Sequence, residues 1–110
     1  MTRDALEELT VTLRKFSAER DWDKFHTPKN LAMALMVEAA EIAEHFQWTD
    51  ARDAEELSAE KRQDVALEIG DTLIYLLRLA DRLGIDMVEA ARAKMEINAC
   101  LLYTSPSPRD

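Results

Sequence analysis

The sequence predicts an all-α protein on three grounds. Only two of the 110 residues are glycine, and 47% of the residues are apolar, a composition typical of helical domains rather than of turn-rich β proteins. Apolar residues recur three and four positions apart, the spacing that places side chains on one face of a helix. Residues that begin and end helices flank these periodic segments. We therefore expect four helices in a single domain.

The first two predicted helices are joined by a short connector. The first helix covers about residues 3–19, and its apolar face consists of Leu6, Leu9, Leu13 and Phe16. The connector, residues 20–26, leads to Thr27, which can cap the second helix. Pro28 then suits the first helical position, where a missing N–H costs nothing. The second helix is expected to end at about Gln47.

The third helix has a clear start and a clear end. Residues 48–57 are polar and acidic and are predicted to form a loop. Ser58 can cap a helix over about residues 59–83, and Gly84 suits the position just beyond its last turn. The broad apolar arc of this helix consists of Val65, Ile69, Leu73, Leu76, Leu77, Ala80 and Leu83.

The fourth helix is followed by a segment of different character. Asp86 with Glu89 forms a capping-box-like start for a helix over about residues 87–99. Residues 100–110 read CLLYTSPSPRD and hold two of the three prolines. This string matches the in-frame translation of a common sequencing transposon adapter. We therefore interpret residues 1–99 as the domain, truncated at its C-terminus, and residues 100–110 as an adapter-derived tail. A natural flexible tail is the alternative.

The charge and the cysteine count exclude several classes of partner. The formal net charge is −8, which argues against nucleic-acid binding through a basic face. No apolar run approaches the roughly 18 residues of a membrane span, and no signal peptide is visible. The single cysteine, Cys100, excludes an internal disulfide. A cytoplasmic protein without nucleic-acid or membrane partners is the expectation.

Two carboxylates of the second helix lie at or inside its apolar face. Glu38 lies within the stripe that contains Leu35 and Ile42, and Glu41 lies at the edge of that stripe. Glu44 falls on the solvent side. A lone buried carboxylate is unfavourable and persists when it is paired, protonated or bound to a metal. The alternative is a wide stripe whose edge Glu38 reaches.

The third helix carries a second pair of carboxylates. Glu68 and Asp71 are three residues apart, on one face, within a narrow polar strip. The other members of this strip are Lys61, Asp64, Tyr75, Arg78 and Arg82. The strip is either a metal-binding face or the ordinary solvent-exposed side of the helix.

Antiparallel packing of the second and third helices would bring the two pairs together. The motifs Glu-x-x-Glu and Glu-x-x-Asp are separated by 26 residues, a helix-loop-helix distance. Four converging carboxylates repel one another unless cations intervene. Oxygen ligands favour magnesium or manganese. A di-iron bundle would use Glu-x-x-His motifs, and neither His26 nor His45 stands in one.

These residues carry a resemblance to a known family. The spacing of the four carboxylates resembles the signature of the all-α nucleotide pyrophosphohydrolases typified by MazG. The dCTP pyrophosphatase branch is similar in further segments, which are residues 20–31, Phe46-Gln47-Trp48, Asp71–Tyr75 and Lys94-x-x-x-Asn98. The resemblance covers residues 16–99 and implies a MazG-like four-helix bundle that homo-oligomerisation completes, as a homodimer or homotetramer.

The resemblance also assigns roles to residues of this sequence. It implies that the metal ligands are Glu38, Glu41, Glu68 and Asp71, with Mg²⁺ or Mn²⁺ as the cofactor. It implies that Glu38 or Glu41 acts on the attacking water. The substrate-binding residues would be Trp22, His26, Trp48, Tyr75, Lys94 and Asn98. The aromatic members would stack on the nucleoside, and simple core packing is the alternative for each tryptophan.

The implied reaction is hydrolysis of a nucleoside triphosphate, dCTP or a modified pyrimidine deoxynucleotide, to the monophosphate and pyrophosphate, which would cleanse the nucleotide pool. Two departures bear on it. The Arg/Lys-Tyr-Pro segment of the family, shortly after the equivalent of Asn98, is replaced by the tail, and a histidine frequent in the branch aligns with Leu13. A broad NTP or dUTP pyrophosphohydrolase and a non-catalytic helical dimerisation module are the alternatives.

Overall fold

The computed structural model describes the backbone of residues 4–49 and 54–104, with side chains for residues 4–49 and 55–101. Four α-helices follow in chain order: α1 (Ala5–Glu19), α2 (Pro28–Glu44), α3 (Ala59–Leu83) and α4 (Met87–Thr104). A short 3₁₀ helix, Ala54–Glu56, precedes α3. The described residues include no strand, which confirms the all-α prediction. None of their helices has the length and hydropathy to cross a membrane.

The starts of α2 and α3 follow from local side-chain chemistry. The Thr27 hydroxyl accepts a hydrogen bond from the Asn30 backbone N–H at 3.2 Å. The Ser58 hydroxyl accepts one from the Lys61 backbone N–H at 3.0 Å. Each bond satisfies one of the N–H groups that a helix leaves without an intrahelical partner at its first turn. Both predicted caps are confirmed.

The end of α3 is fixed by the one glycine that adopts a left-handed conformation. Gly84 has φ of 68°, a backbone conformation that residues with a Cβ adopt rarely. Its N–H donates to the Asp81 carbonyl at 3.1 Å, and the Ile85 N–H donates to the Ala80 carbonyl at 2.8 Å. This pair of bonds is the Schellman arrangement, which satisfies carbonyls of the last turn.

Two predicted helix ends are wrong. The second helix ends at Glu44 rather than at Gln47, because the chain tightens into turns over residues 45–48. The fourth helix continues to Thr104, beyond its predicted end at Ala99. The first residues of the tail segment therefore extend α4, and residues 105–110 lie outside the described part of the chain.

The described interior is centred on α3. Helix α2 packs along α3, and α1 packs against the same helix, whereas α4 makes at most marginal contact with the others. The buried apolar side chains of the described residues are Leu31, Val65, Leu77 and Ala80. This small core leaves much of the predicted apolar arc uncovered: Ile69 is 53% exposed and Leu83 is 52% exposed. Burial within one chain therefore accounts for only part of the apolar pattern.

Candidate active site

The packing of α2 on α3 sets the register of the site. His45, just beyond the end of α2, lies beside Lys61 in the first turns of α3, with 3.3 Å between its Nδ1 and the Lys61 Nζ. Further from the loop, Glu41 lies beside Glu68. Because residues later in α2 meet residues earlier in α3, the two helices run antiparallel. This is the arrangement expected to bring the two carboxylate pairs together.

Three carboxylates meet between these helices. Glu38, Glu41 and Glu68 are each half-buried, and one oxygen of each lies within 4.8 Å of the others. The Oε1 atoms of Glu38 and Glu68 are buried and have no hydrogen-bond partner. A buried carboxylate oxygen without a donor is unfavourable. The cluster therefore offers oxygen ligands for a cation, and a bound cation would compensate the two buried oxygens that lack hydrogen bonds.

The pKa values within the cluster reflect this crowding. Burial raises the pKa of Glu38, and the carboxylates of Glu41 and Asp71 raise it further. Hydrogen bonding to Glu41 raises the pKa of Glu68, and burial and the neighbouring charges add to the effect. Like charges in a confined space favour the neutral form. A divalent cation would remove this penalty because it favours the ionised carboxylates.

Asp71 lies at the periphery of the cluster. It is exposed, and it is not among the three residues whose oxygens converge most closely. It nevertheless lies near enough to Glu38 to raise the pKa of that residue. Glu44, predicted to be solvated, is exposed. The spacing of the four residues predicted that all four carboxylates converge, whereas the structure brings the three glutamates together and leaves Asp71 at the rim.

His45 borders the cluster on its loop side. Its Nε2 lies 4.0 Å from the Glu68 Oε2, while its Nδ1 faces Lys61. This imidazole is half-buried and lies at the rim of the site.

The connector between α1 and α2 holds two of the predicted substrate-binding residues side by side. The rings of Trp22 and His26 have centroids 6.1 Å apart, and Phe16 meets Trp22 edge-on at 5.5 Å. The Arg20 guanidinium lies 3.5 Å from the Phe16 ring centre, a cation–π contact. Asp21 has φ of 57°, an uncommon conformation that a short polar residue tolerates best. The connector therefore has a defined conformation that side-chain contacts stabilise.

The other four predicted substrate-binding residues lie outside the connector. Tyr75 is half-buried on α3, one turn beyond Asp71. Trp48 is 89% exposed. Lys94 is exposed and Asn98 half-buried on α4, a helix that barely touches α2 and α3. Among the described residues, no hydrogen bond, ion pair or ring contact joins Trp48, Lys94 or Asn98 to the carboxylates.

A network around Arg78 was missed by the sequence reasoning. Arg78 is only 3% exposed. Its Nη2 donates to the Asp23 Oδ1 at 2.9 Å, and its Nη1 lies 3.6 Å from the Asp81 Oδ2. Asp81 in turn accepts two hydrogen bonds from Arg14, at 2.7 and 3.0 Å. The sequence placed Arg78 on the polar strip of α3, but its partners on the connector, Asp23 and His26, have no local signal.

The chain is similar in sequence to known nucleotide-hydrolysing enzymes. The sequence profile described as "MazG-like family" matches residues 33–101. Human dCTP pyrophosphatase 1 is 43% identical over 95 residues, which are 84% of this chain and 56% of that protein. A dATP/dGTP diphosphohydrolase of cyanophage S-2L is 51% identical over 43 residues, 39% of this chain and 41% of that protein. The chain spans about half the length of the curated relatives it matches.

A solved structure extends the likeness to nearly the whole chain. A pyrophosphatase from Archaeoglobus fulgidus superposes with a TM-score of 0.83 and is 42% identical in sequence. The superposition covers 97% of this chain and 97% of that chain. At this TM-score and coverage, the two chains share the same fold.

Proposed function

Because this chain belongs to the MazG-like family, we propose that it hydrolyses a nucleoside triphosphate to the monophosphate and pyrophosphate. The observation that carries the proposal is the convergence of Glu38, Glu41 and Glu68, two of which present buried oxygens without a partner. The relatives described as dCTP pyrophosphatase 1 support this reaction class. A non-catalytic dimerisation module predicts that Glu38 and Glu68 lie on separate wet surfaces, which is not the arrangement found.

The residues at the cluster fit a magnesium or manganese cofactor. The donors are carboxylate oxygens, the ligands that hard divalent cations prefer. Glu38, Glu41 and Glu68 would hold the metal, with Asp71 at the rim. Bound magnesium would supply positive charge against the triphosphate oxygens and would lower the pKa of a water at the α-phosphorus.

The chain's own carboxylates supply the proton chemistry. Glu38 or Glu41 orients the attacking water and takes its proton, since a carboxylate within hydrogen-bond reach acts as a general base. Positioning and electrostatic stabilisation carry most of the remaining rate enhancement, as in phosphoryl transfer generally.

The nucleoside is proposed to bind at the connector. Trp22 offers an aromatic face for stacking, His26 a hydrogen-bonding edge, and Tyr75 lies on the α3 strip between the carboxylates and Arg78. A pyrimidine deoxynucleotide, dCTP or a modified form, is the proposed substrate, with cleansing of the cytoplasmic nucleotide pool as the role. The likeness to a dATP/dGTP diphosphohydrolase over 43 residues favours a wider base range as the second candidate.

A homodimer or homotetramer is proposed as the active form. Large apolar side chains remain exposed on α2, α3 and α4, among them Met36 at 60% and Met95 at 69%. Apolar surface of this extent is typical of association sites. A second copy would cover it and could bring Trp48, Lys94 and Asn98 toward the carboxylates.

The decisive experiment is hydrolysis of dCTP by the full chain, with and without Mg²⁺, measured by release of pyrophosphate and dCMP. Glu38→Gln keeps the size of the side chain and removes its charge, so we expect activity to fall by about two orders of magnitude or more. Glu44→Gln, six residues further along the same helix and exposed, is the matched control and should retain activity.

Three results would each remove a part of the proposal. Full activity in Glu38→Gln would exclude Glu38 from the mechanism. Equal activity in the absence of divalent metal would exclude the cofactor. A panel of dUTP, dATP and dGTP alongside dCTP measures base preference, and comparable kcat/KM on all four would favour the broad enzyme over the pyrimidine enzyme.

A further inference from the structure

Arg78 joins α3 to the connector that carries the proposed nucleoside pocket. Among the side chains described, it is the one charged group that is buried. Its Nε donates to the His26 Nδ1 at 3.3 Å, and its Nη2 donates to the Asp23 Oδ1 at 2.9 Å. Both partners belong to the connector, and both are more than 50 residues away in sequence. One guanidinium therefore anchors the connector at two points.

The bond to His26 fixes which ring nitrogen carries the proton. A guanidinium has five N–H donors and no acceptor. The His26 Nδ1 must therefore present its lone pair to Arg78, and the proton of the neutral imidazole lies on Nε2. His26 is thus held as a hydrogen-bond donor through Nε2, next to the ring of Trp22.

The surroundings favour the neutral form of this imidazole. Burial lowers the pKa of His26, the positive charges of Arg78 and Arg82 lower it further, and Asp23 opposes them. A neutral ring suits a site for an uncharged nucleoside, because it offers a directed N–H without attracting the triphosphate away from the carboxylate cluster.

The start of the connector is fixed by local hydrogen bonds. Asp21 adopts a left-handed backbone conformation with φ of 57°, and its N–H donates to the Ala18 carbonyl at 3.1 Å. Trp22 follows directly, and its N–H donates to the Ser17 carbonyl at 2.9 Å, so this pair of bonds ends α1 as the Schellman pair ends α3. On α3, Arg78 stands three residues after Tyr75 and seven after Asp71, so it lies on the side of the helix that faces the proposed pocket.

From this geometry we propose that Arg78 is a positioning residue for nucleoside binding. It holds the connector in place and presents the His26 Nε2–H to a hydrogen-bond acceptor of the nucleoside. This inference rests on the proposed function for the identity of the ligand. It adds a residue outside the carboxylate cluster that controls affinity for the nucleoside and leaves the chemical step to the glutamates.

The test combines a direct view of the hydrogen bond with binding and kinetics on the full chain. In ¹⁵N-labelled protein, an N–H···N bond gives a scalar coupling between the Arg78 Nε and the His26 Nδ1. The Kd of dCMP is measured by calorimetry, and KM and kcat are measured with dCTP. The variants are Arg78→Lys, which keeps the charge but cannot reach both partners, and Asp23→Asn, which removes the charge of one anchor at a half-buried site. Arg82→Lys, one turn further along α3 and exposed, is the matched control.

We expect the coupling in the wild-type chain and in Arg82→Lys, and its loss in Arg78→Lys. We also expect Arg78→Lys to raise the Kd of dCMP and the KM of dCTP about tenfold while kcat changes less than about threefold. Asp23→Asn should move the Kd in the same direction by a smaller factor. A missing coupling in the wild type, an unchanged Kd in Arg78→Lys, or a fall in kcat at constant KM would each overturn the inference.

The two proposals fail in different ways. A chain that binds dCMP with the expected dependence on Arg78 but hydrolyses no triphosphate contradicts the proposed function and leaves this inference standing. A chain that hydrolyses dCTP with the same Kd for dCMP in Arg78→Lys and wild type contradicts this inference alone. A chain that binds no nucleotide contradicts both.

Discussion

The glutamate cluster and the Arg78 network lie on neighbouring parts of α3. The cluster brings like charges together, whereas the network pairs opposite charges. In the cluster, Glu38, Glu41 and Glu68 bring like charges together and leave two buried oxygens without donors. In the network, Arg78 meets Asp23 and Asp81, so opposite charges are paired. The cluster is unfavourable until a cation binds, whereas the network stabilises the fold as it stands. A candidate cation site can therefore be told apart from a positioning network by whether its charges are already paired.

The largest expected effect separates catalysis from folding at the cluster. Glu41→Gln should lower kcat for dCTP by about 10²–10⁴-fold, the range lost when a general base or its equivalent is removed. The fold should persist, because the change removes repulsion rather than an attractive contact. Steady-state kinetics and circular dichroism measure the two effects. Activity near the wild-type value would show that the cluster is not the reaction centre.

The network should respond in the opposite manner. Asp81→Asn should lower the free energy of unfolding by about 1–2 kcal/mol, because Arg14 and Arg78 lose a charged acceptor. Glu89→Gln is the matched control, since it breaks an exposed pair with Arg92 and should cost less than about 0.5 kcal/mol. Urea denaturation measures both. Equal costs would mean that burial of Arg78 adds nothing to the strength of the network.

The smallest effect concerns pH and the metal-free cluster. The folded chain raises the pKa of Glu68, so the cluster favours folding while it is protonated, below about pH 4.3. That contribution is lost as the pH rises through the raised folded value. Glu68→Gln removes this dependence. In EDTA, the melting temperature of the variant should therefore exceed that of the wild type by a margin that grows as the pH rises above the ordinary glutamate pKa and levels off once Glu68 is ionised in the folded chain.

Addition of Mg²⁺ sharpens the same measurement. At pH 8 the ion should raise the melting temperature of the wild type, because a ligand that binds only the folded state stabilises it. The Glu68→Gln variant should respond less. If the melting temperatures of the wild type and of Glu68→Gln differed by the same amount at every pH, the like-charge explanation for the cluster would be contradicted.

Much of the fold was predictable because its signals are local. Thr27, Ser58 and Gly84 mark helix boundaries through hydrogen bonds to residues within five positions. Such contacts need no tertiary partner, and the bounds of α3 were correct for this reason. The end of α2 was missed because residues 45–48 form turns that no glycine or proline announces. The end of α4 was missed because its extension lies in the segment interpreted as a tail.

The candidate site also has a part that local sequence predicts and a part that only tertiary packing determines. Spacing three residues apart on two helices determined that Glu38 would pair with Glu41, and Glu68 with Asp71, because helical geometry alone places them on one face. Only the antiparallel register of α2 on α3 decided that three glutamates converge while Asp71 lies at the rim. Likewise, the sequence could not distinguish Arg78 from a solvated arginine, since its contacts with His26 and Asp23 span more than 50 residues. Local periodicity records which face a side chain occupies, and only packing decides what meets it there.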